Sequence, residues 1–170
     1  IAKAEADRML AVAYLSCRTP QLDKAASHAQ AFAETSQAIS QNGDRAALLQ
    51  GEIALAQGAL DVAQEYFDQV PDESELINER QMLRGQLALH RANVLREKSL
   101  TEGVTEATPD TQALYGKSIE LMREALSHHA SGQGLSSKAS YLIGVALRRQ
   151  GQAEAARDQF FRTRKRYYDT

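Results

Sequence analysis

The chain has 170 residues, 43% hydrophobic and 25% charged, a balance that suits a folded protein and excludes one disordered throughout. A net charge of −2 and a pI near 6.1 lack the basic excess of a nucleic-acid-binding domain, so no nucleic acid partner is expected. No apolar run approaches the roughly 18 residues of a membrane span, and the single Cys17 can form neither an internal disulfide nor a multi-cysteine metal site.

Residues 2–18 carry Met9, Leu10, Val12, Ala13 and Leu15 to Cys17 on one helical stripe, and the helix is expected to end near Thr19-Pro20. From Leu22 to Glu34, the residues Leu22, Ala25, Ala26, Ala29, Phe32 and Ala33 recur at threes and fours, which predicts a second amphipathic helix folded back on the first. Asn42-Gly43 is a turn signal, with Asp44 placed to cap the next helix. Helices are predicted over 44–57 and 60–70, divided by Gly58 and closed by Pro71, and a longer one over 75–98. The polar stretch KSLTEGVTEATPDTQ, with Gly103 and Pro109, reads as a loop. Helix resumes over 111–129, ASGQGLSS at 130–137 reads as a connection with a serine cap, and helices over 138–150 and 152–168 complete the chain.

Two of these segments share one pattern. Residues 48–67, LLQGEIALAQGALDVAQEYF, and 142–161, LIGVALRRQGQAEAARDQFF, each place a mid-helix glycine (Gly51, Gly144) seven residues before a turn glycine (Gly58, Gly151). An alanine (Ala63, Ala156) and a phenylalanine (Phe67, Phe160) follow at fixed distances. A partial third copy places Gly85 34 residues after Gly51, a period that marks a repeat architecture. A helix-interior glycine costs about 1 kcal/mol relative to alanine. Its recurrence therefore predicts close helix packing, with Phe67 or Phe160 filling the space beside it and Ala13 serving the same place in the first repeat.

Gly51, Gly58, Ala63 and Phe67, with Gly144, Gly151, Ala156 and Phe160, resemble the tetratricopeptide repeat, whose signature runs small residue, turn, alanine, aromatic over 34 residues. Ala13, Ala25, Ala29 and Phe32 stand at the corresponding places of a first repeat. Gly85, Ser118, Met122, Ala125 and Leu126 stand at those of a third, interrupted by about 21 residues. The first-helix tryptophan and the repeat-end proline of the family are missing. The resemblance implies an all-α, right-handed superhelix (α-solenoid) of four antiparallel helix hairpins. Its repeats would cover 6–39, 44–77, 78–132 with an insertion near 97–112, and 137–170, in one domain spanning 1–170. A chain that opens at Ile1 without a signal-peptide pattern fits a domain taken from a longer protein.

The resemblance further implies that the first helices line a concave groove that binds a protein or peptide. Groove positions are then Asp7, Leu10, Tyr14 and Arg18 in repeat one, and Arg45, Leu48, Glu52 and Leu55 in repeat two. Met82, Gln86 and His90 follow in repeat three, and Tyr141, Val145, Arg148 and Arg149 in repeat four. The family's carboxylate clamp uses lysine and asparagine in this groove. Here those places hold Leu10 with Tyr14, Leu48 with Glu52, Met82 with Gln86, and Tyr141 with Val145, which argues against a receptor for chaperone tails.

No catalytic constellation stands against this reading. The adjacent His128 and His129 would point about 100° apart on a helix, with no carboxylate or cysteine at ligand spacing. A Cys17–His28 nucleophile rests on one residue of each kind, and no phosphate-cradling glycine loop is present. FFRTRKRYYD concentrates Arg162, Arg164, Lys165 and Arg166 among Phe161, Tyr167 and Tyr168. It fits a helix whose aromatics pack inward and whose cations favour the negative helix end, or else a docking surface for an acidic segment or nucleic acid. The loop with Glu102, Glu106 and Asp110 fits a solvated insertion or a partner contact. The expected function is a noncatalytic protein-interaction module with no cofactor and no metal; the alternative is self-assembly through exposed solenoid ends.

Overall fold

The computed structural model describes residues 2–36, 43–127 and 133–167, which form eight α-helices with no strand among them. They are α1 (Ala2–Ser16), α2 (Leu22–Ser36), α3 (Gly43–Ala56), α4 (Leu60–Asp68), α5 (Ile77–Thr101), α6 (Pro109–Ser127), α7 (Gln133–Arg149) and α8 (Ala153–Tyr167). The fold is all-α.

Two helix ends repeat each other in detail. Gly58 and Gly151 adopt φ of 78° and 84°, left-handed values that a side chain would strain. The amide of Gly58 donates to Leu55 and that of Ala59 to Ala54 at 2.9 Å; Gly151 donates to Arg148 and Gln152 to Leu147 at 3.0 Å. These paired bonds satisfy the last carbonyls of α3 and α7 and turn the chain sharply into α4 and α8.

The stretch 98–112, expected as a loop, is mostly helical. Its lysine, leucine and threonine residues do not by themselves end a helix, so α5 runs on to Thr101 and α6 begins at Pro109. Only 102–108 connects them. Thr108 caps α6, its Oγ1 accepting from the Thr111 amide at 3.3 Å, and Pro109 occupies the first helical position, where no amide is needed. Arg96 gathers the connection by donating to the carbonyls of Val104 (3.2 Å), Glu106 (2.9 Å) and Thr105. Of the connection expected over 130–137, residues 133–137 are helical, because α7 begins at Gln133 and Ser137 lies inside it; 130–132 fall outside the described residues. Asn42 does too. Asp44 lies in the first turn of α3 and accepts the Ser74 hydroxyl at 2.5 Å, tying residues 71–76 back to that turn.

The chain divides into two compact units, Ile1–Ile77 and Asn78–Thr170. In the first, α1 packs on α2, α2 on α3 and α3 on α4, and α1 also touches α3. Its core joins Ala4, Ala11, Ala25, Ala29, Phe32, Ala46, Leu49 and Ile53. Small residues seven apart on α1 let α2 approach closely. Met9, Leu10 and Val12, expected on the packed stripe, consequently fall on the wet side and are 61%, 42% and 40% exposed. In the second unit α6 packs on α7 and α7 on α8. There α5 meets α6 through Gly85, where an added Cβ would lie 2.8 Å from Met122 Cγ, and through a 3.1 Å hydrogen bond from Tyr115 to Asn93 Oδ1.

The mid-helix glycines are contact points. A Cβ on Gly51 would stand 2.7 Å from Phe67 Cδ1, and one on Gly144 the same distance from Phe160 Cδ1. The first repeat departs from this pattern. Ala13 is exposed, and Ala29 stands where Phe67 stands in the second, so no large ring there requires a glycine opposite.

Candidate functional site

The first helix of each hairpin supplies the residues expected to meet a partner, and the structure sorts them by exposure. Leu48, Leu55 and Met82 are only 2–3% exposed, so they are core residues and not contact residues. The reason lies in their helices. Buried positions run through 46–49, 51 and 53–55 of α3, and through 80–83, 85, 87–89 and 92 of α5, covering most of each circumference. Helices buried over so much of their circumference are enclosed, and these three apolar side chains face the interior.

Asp7 and Tyr14 turn toward α2 instead. Asp7 Oδ1 lies 2.9 Å from His28 Nδ1, and the Tyr14 ring stacks on His28 with centroids 5.7 Å apart. Lys24 Nζ lies 5.3 Å from the Tyr14 centroid on the same ring. This α1–α2 contact, a carboxylate, an imidazole and two aromatic-face interactions, joins residues 21 apart in sequence. Single-helix periodicity does not relate them; only the antiparallel return of α2 does.

Six of the expected residues remain well exposed: Leu10, Arg18, Arg45, Tyr141, Arg148 and Arg149. Glu52, Gln86, His90 and Val145 are half-buried. In the first unit Glu5 and Arg8 lie within electrostatic reach of Arg45. An Arg8 hydrogen bond holds the Glu5 carboxyl below its ordinary pKa, and the charges of Arg8 and Arg45 add to this. Met9, Leu10 and Val12 are exposed apolar side chains of the same helix that carries the Glu5–Arg8 pair. In the second unit Tyr141 is 54% exposed with one side of its ring against Phe160, and Arg148 and Arg149 extend from the last turn of α7 with no ion pair among the described residues. Burial lowers the pKa of His90.

Among the described residues no three His, Cys, Asp or Glu side chains gather as a metal site, and no helix is long and apolar enough to cross a membrane. His128 and His129 lie outside the described residues, as does Tyr168. Cys17 is exposed, its thiol directed to the Ala13 carbonyl at 3.1 Å.

The two units differ sharply in charge. Residues 1–77 hold 12 carboxylates against 5 Lys and Arg, a net of −7; residues 78–170 hold 10 against 15, a net of +5. Between Arg45 and Arg80 there is no Lys or Arg at all. The overall charge of −2 conceals this polarity. It was legible from the sequence once the boundary between the units was known.

Compared with protein-family models, with curated proteins and with solved structures, the chain matches none.

Proposed function

We propose that this chain is a noncatalytic protein-interaction module of the tetratricopeptide kind, with a solenoid arrangement of its hairpins and a binding face on the first helices of each unit. The recurrent glycine–phenylalanine contact at Gly51 and Gly144, with the same left-handed turn seven residues on, supports the repeat reading. The exposure of apolar and cationic residues together on first helices carries the binding reading: Leu10 and Arg45 in one unit, Tyr141, Arg148 and Arg149 in the other. Such a face suits a protein segment held by apolar anchors and arginine–carboxylate pairs. Leu48, Leu55 and Met82 act as the scaffold behind it.

Affinity capture of partners from the source cells, comparing wild type with the variant Leu10→Asp/Arg45→Glu/Tyr141→Ala/Arg149→Ala, tests this. All four side chains are exposed, so helicity is expected to stay unchanged while partner recovery is lost. Equal recovery by a fully helical variant would remove the first-helix face as the binding surface.

A further inference from the structure

The charge polarity is concentrated on two helices. On α4, Asp61, Glu65 and Asp68 follow one another at intervals of four and three, which aligns them along one exposed face, with Val62, 45% exposed, at its edge. Asp72, Glu73 and Glu75 continue the exposed acidic run beyond the helix. On α8, Phe161 is 64% exposed, the most exposed large apolar side chain among the described residues. Arg162, Arg164, Lys165 and Arg166 follow it, all exposed, with Arg164 and Lys165 one turn on, and no carboxylate stands between Asp158 and the end of α8. Arg162 and Lys165 have no ion pair among the described residues, and Arg166 meets only the Tyr167 ring, at 5.5 Å.

The inward side of α8 accounts for its own packing without these groups. Ala156 and Thr163 are buried, the Thr163 hydroxyl lies 2.7 Å from that of Ser140, and Phe160 fills the place beside Gly144. Arg162, Lys165 and Phe161 are therefore left over from folding. An exposed phenyl ring with cations one turn further along the helix combines the apolar and charged groups of an interface. The acidic face of α4, with Val62 beside its carboxylates, is complementary to it in both respects.

We propose that the basic face of α8 docks on the acidic face formed by α4 and residues 71–75 of a second copy of this chain. Each copy offers one face of each sign, on different helices, so the contact joins unlike faces of the two copies. Opposite net charges of −7 and +5 steer the copies into that orientation and oppose a like-with-like pairing. Nucleic acid is the other polyanion α8 suits. The second copy is favoured because the chain itself carries a matching acidic face, and because the acidic excess of the first unit repels a polyphosphate. The proposal stands beside the first-helix groove and does not rest on it: a strictly monomeric protein removes this contact and leaves the groove intact.

Sedimentation velocity over a concentration series tests it, at about 50 mM and about 500 mM salt, conditions between which the screening length shortens about threefold. The wild type is expected to gain mass with concentration at low salt and to weaken about tenfold or more at high salt. Arg162→Glu/Lys165→Glu and Asp61→Lys/Glu65→Lys, each unchanged in circular dichroism, are each expected to stay monomeric alone. Mixed, they are expected to associate, since the acidic α4 of the first variant meets the basic α8 of the second. A wild type that stays monomeric at low salt overturns the proposal, as does association that survives both charge reversals. Binding of a single-stranded 20-nucleotide RNA that is lost in the α8 variant, by a protein that does not self-associate, overturns it in favour of nucleic acid.

Discussion

Replacing Gly51 by alanine sets two effects against each other, and the structure decides between them. In a helix interior the change gains about 1 kcal/mol from propensity. Against that, the new methyl would stand 2.7 Å from Phe67 Cδ1 and nearer still to Cε1, and Phe67 is fully enclosed, so its ring cannot swing into solvent. Forcing a close-packed ring aside costs about 1–3 kcal/mol, and a rigid site falls in the upper part of that range. The expected outcome is a net loss of about 1–2 kcal/mol. Gly116, inside α6, is the internal control. There an added Cβ meets only Gln150 Nε2, at an ordinary 3.7 Å, so Gly116→Ala is expected to stabilise by about 0.5–1 kcal/mol. Gly144 falls between them, because Phe160 is only half-buried and can yield. Guanidinium unfolding followed by circular dichroism orders the three variants. If Gly51→Ala proves as stable as Gly116→Ala, the close approach of α3 and α4 at that point is wrong. Adding Phe67→Leu should recover part of the loss, a coupling that a purely local backbone effect would not produce.

Three further outcomes follow from single contacts. Ser140→Ala removes a hydroxyl 2.7 Å from that of Thr163 and 2.9 Å from Gln159 Nε2, and is expected to destabilise by about 1–2 kcal/mol in chemical denaturation, since its partners stay half-buried or buried. Arg96→Met deletes the guanidinium that three carbonyls of 104–106 share, so hydrogen exchange is expected to rise over 102–108 while the middle of α5 keeps its protection. His90 has a pKa lowered by burial, so the unfolded chain takes up a proton there more readily than the folded one. Stability then falls as pH drops below about 6.5, and urea midpoints at pH 7.5 and 5.5 should draw closer together in His90→Gln than in the wild type.

What the sequence determined by itself was local and periodic. Left-handed turns at Gly58 and Gly151 are encoded by glycine's freedom of φ, and the sixteen-residue interval from Gly51 to Phe67 and from Gly144 to Phe160 is a contact because a hairpin of fixed turn length brings those positions together. Helix identities followed from apolar spacing, and the ends of α3 and α7 from the turn glycines Gly58 and Gly151. Residues 98–112 misled because a polar stretch loses nothing by staying helical until a glycine or proline stops it. Which face of each helix is wet was decided only by the tertiary structure, since burial depends on how many neighbours surround a helix and not on its own periodicity. Thus Leu48, Leu55 and Met82 became core, Met9 and Leu10 stayed in water, and Asp7 found His28 across a hairpin. The opposed charges of α4 and α8 lay in the sequence throughout, but they became complementary surfaces only when folding turned Asp61, Glu65 and Asp68 to one exposed face and left Phe161 bare among its cations.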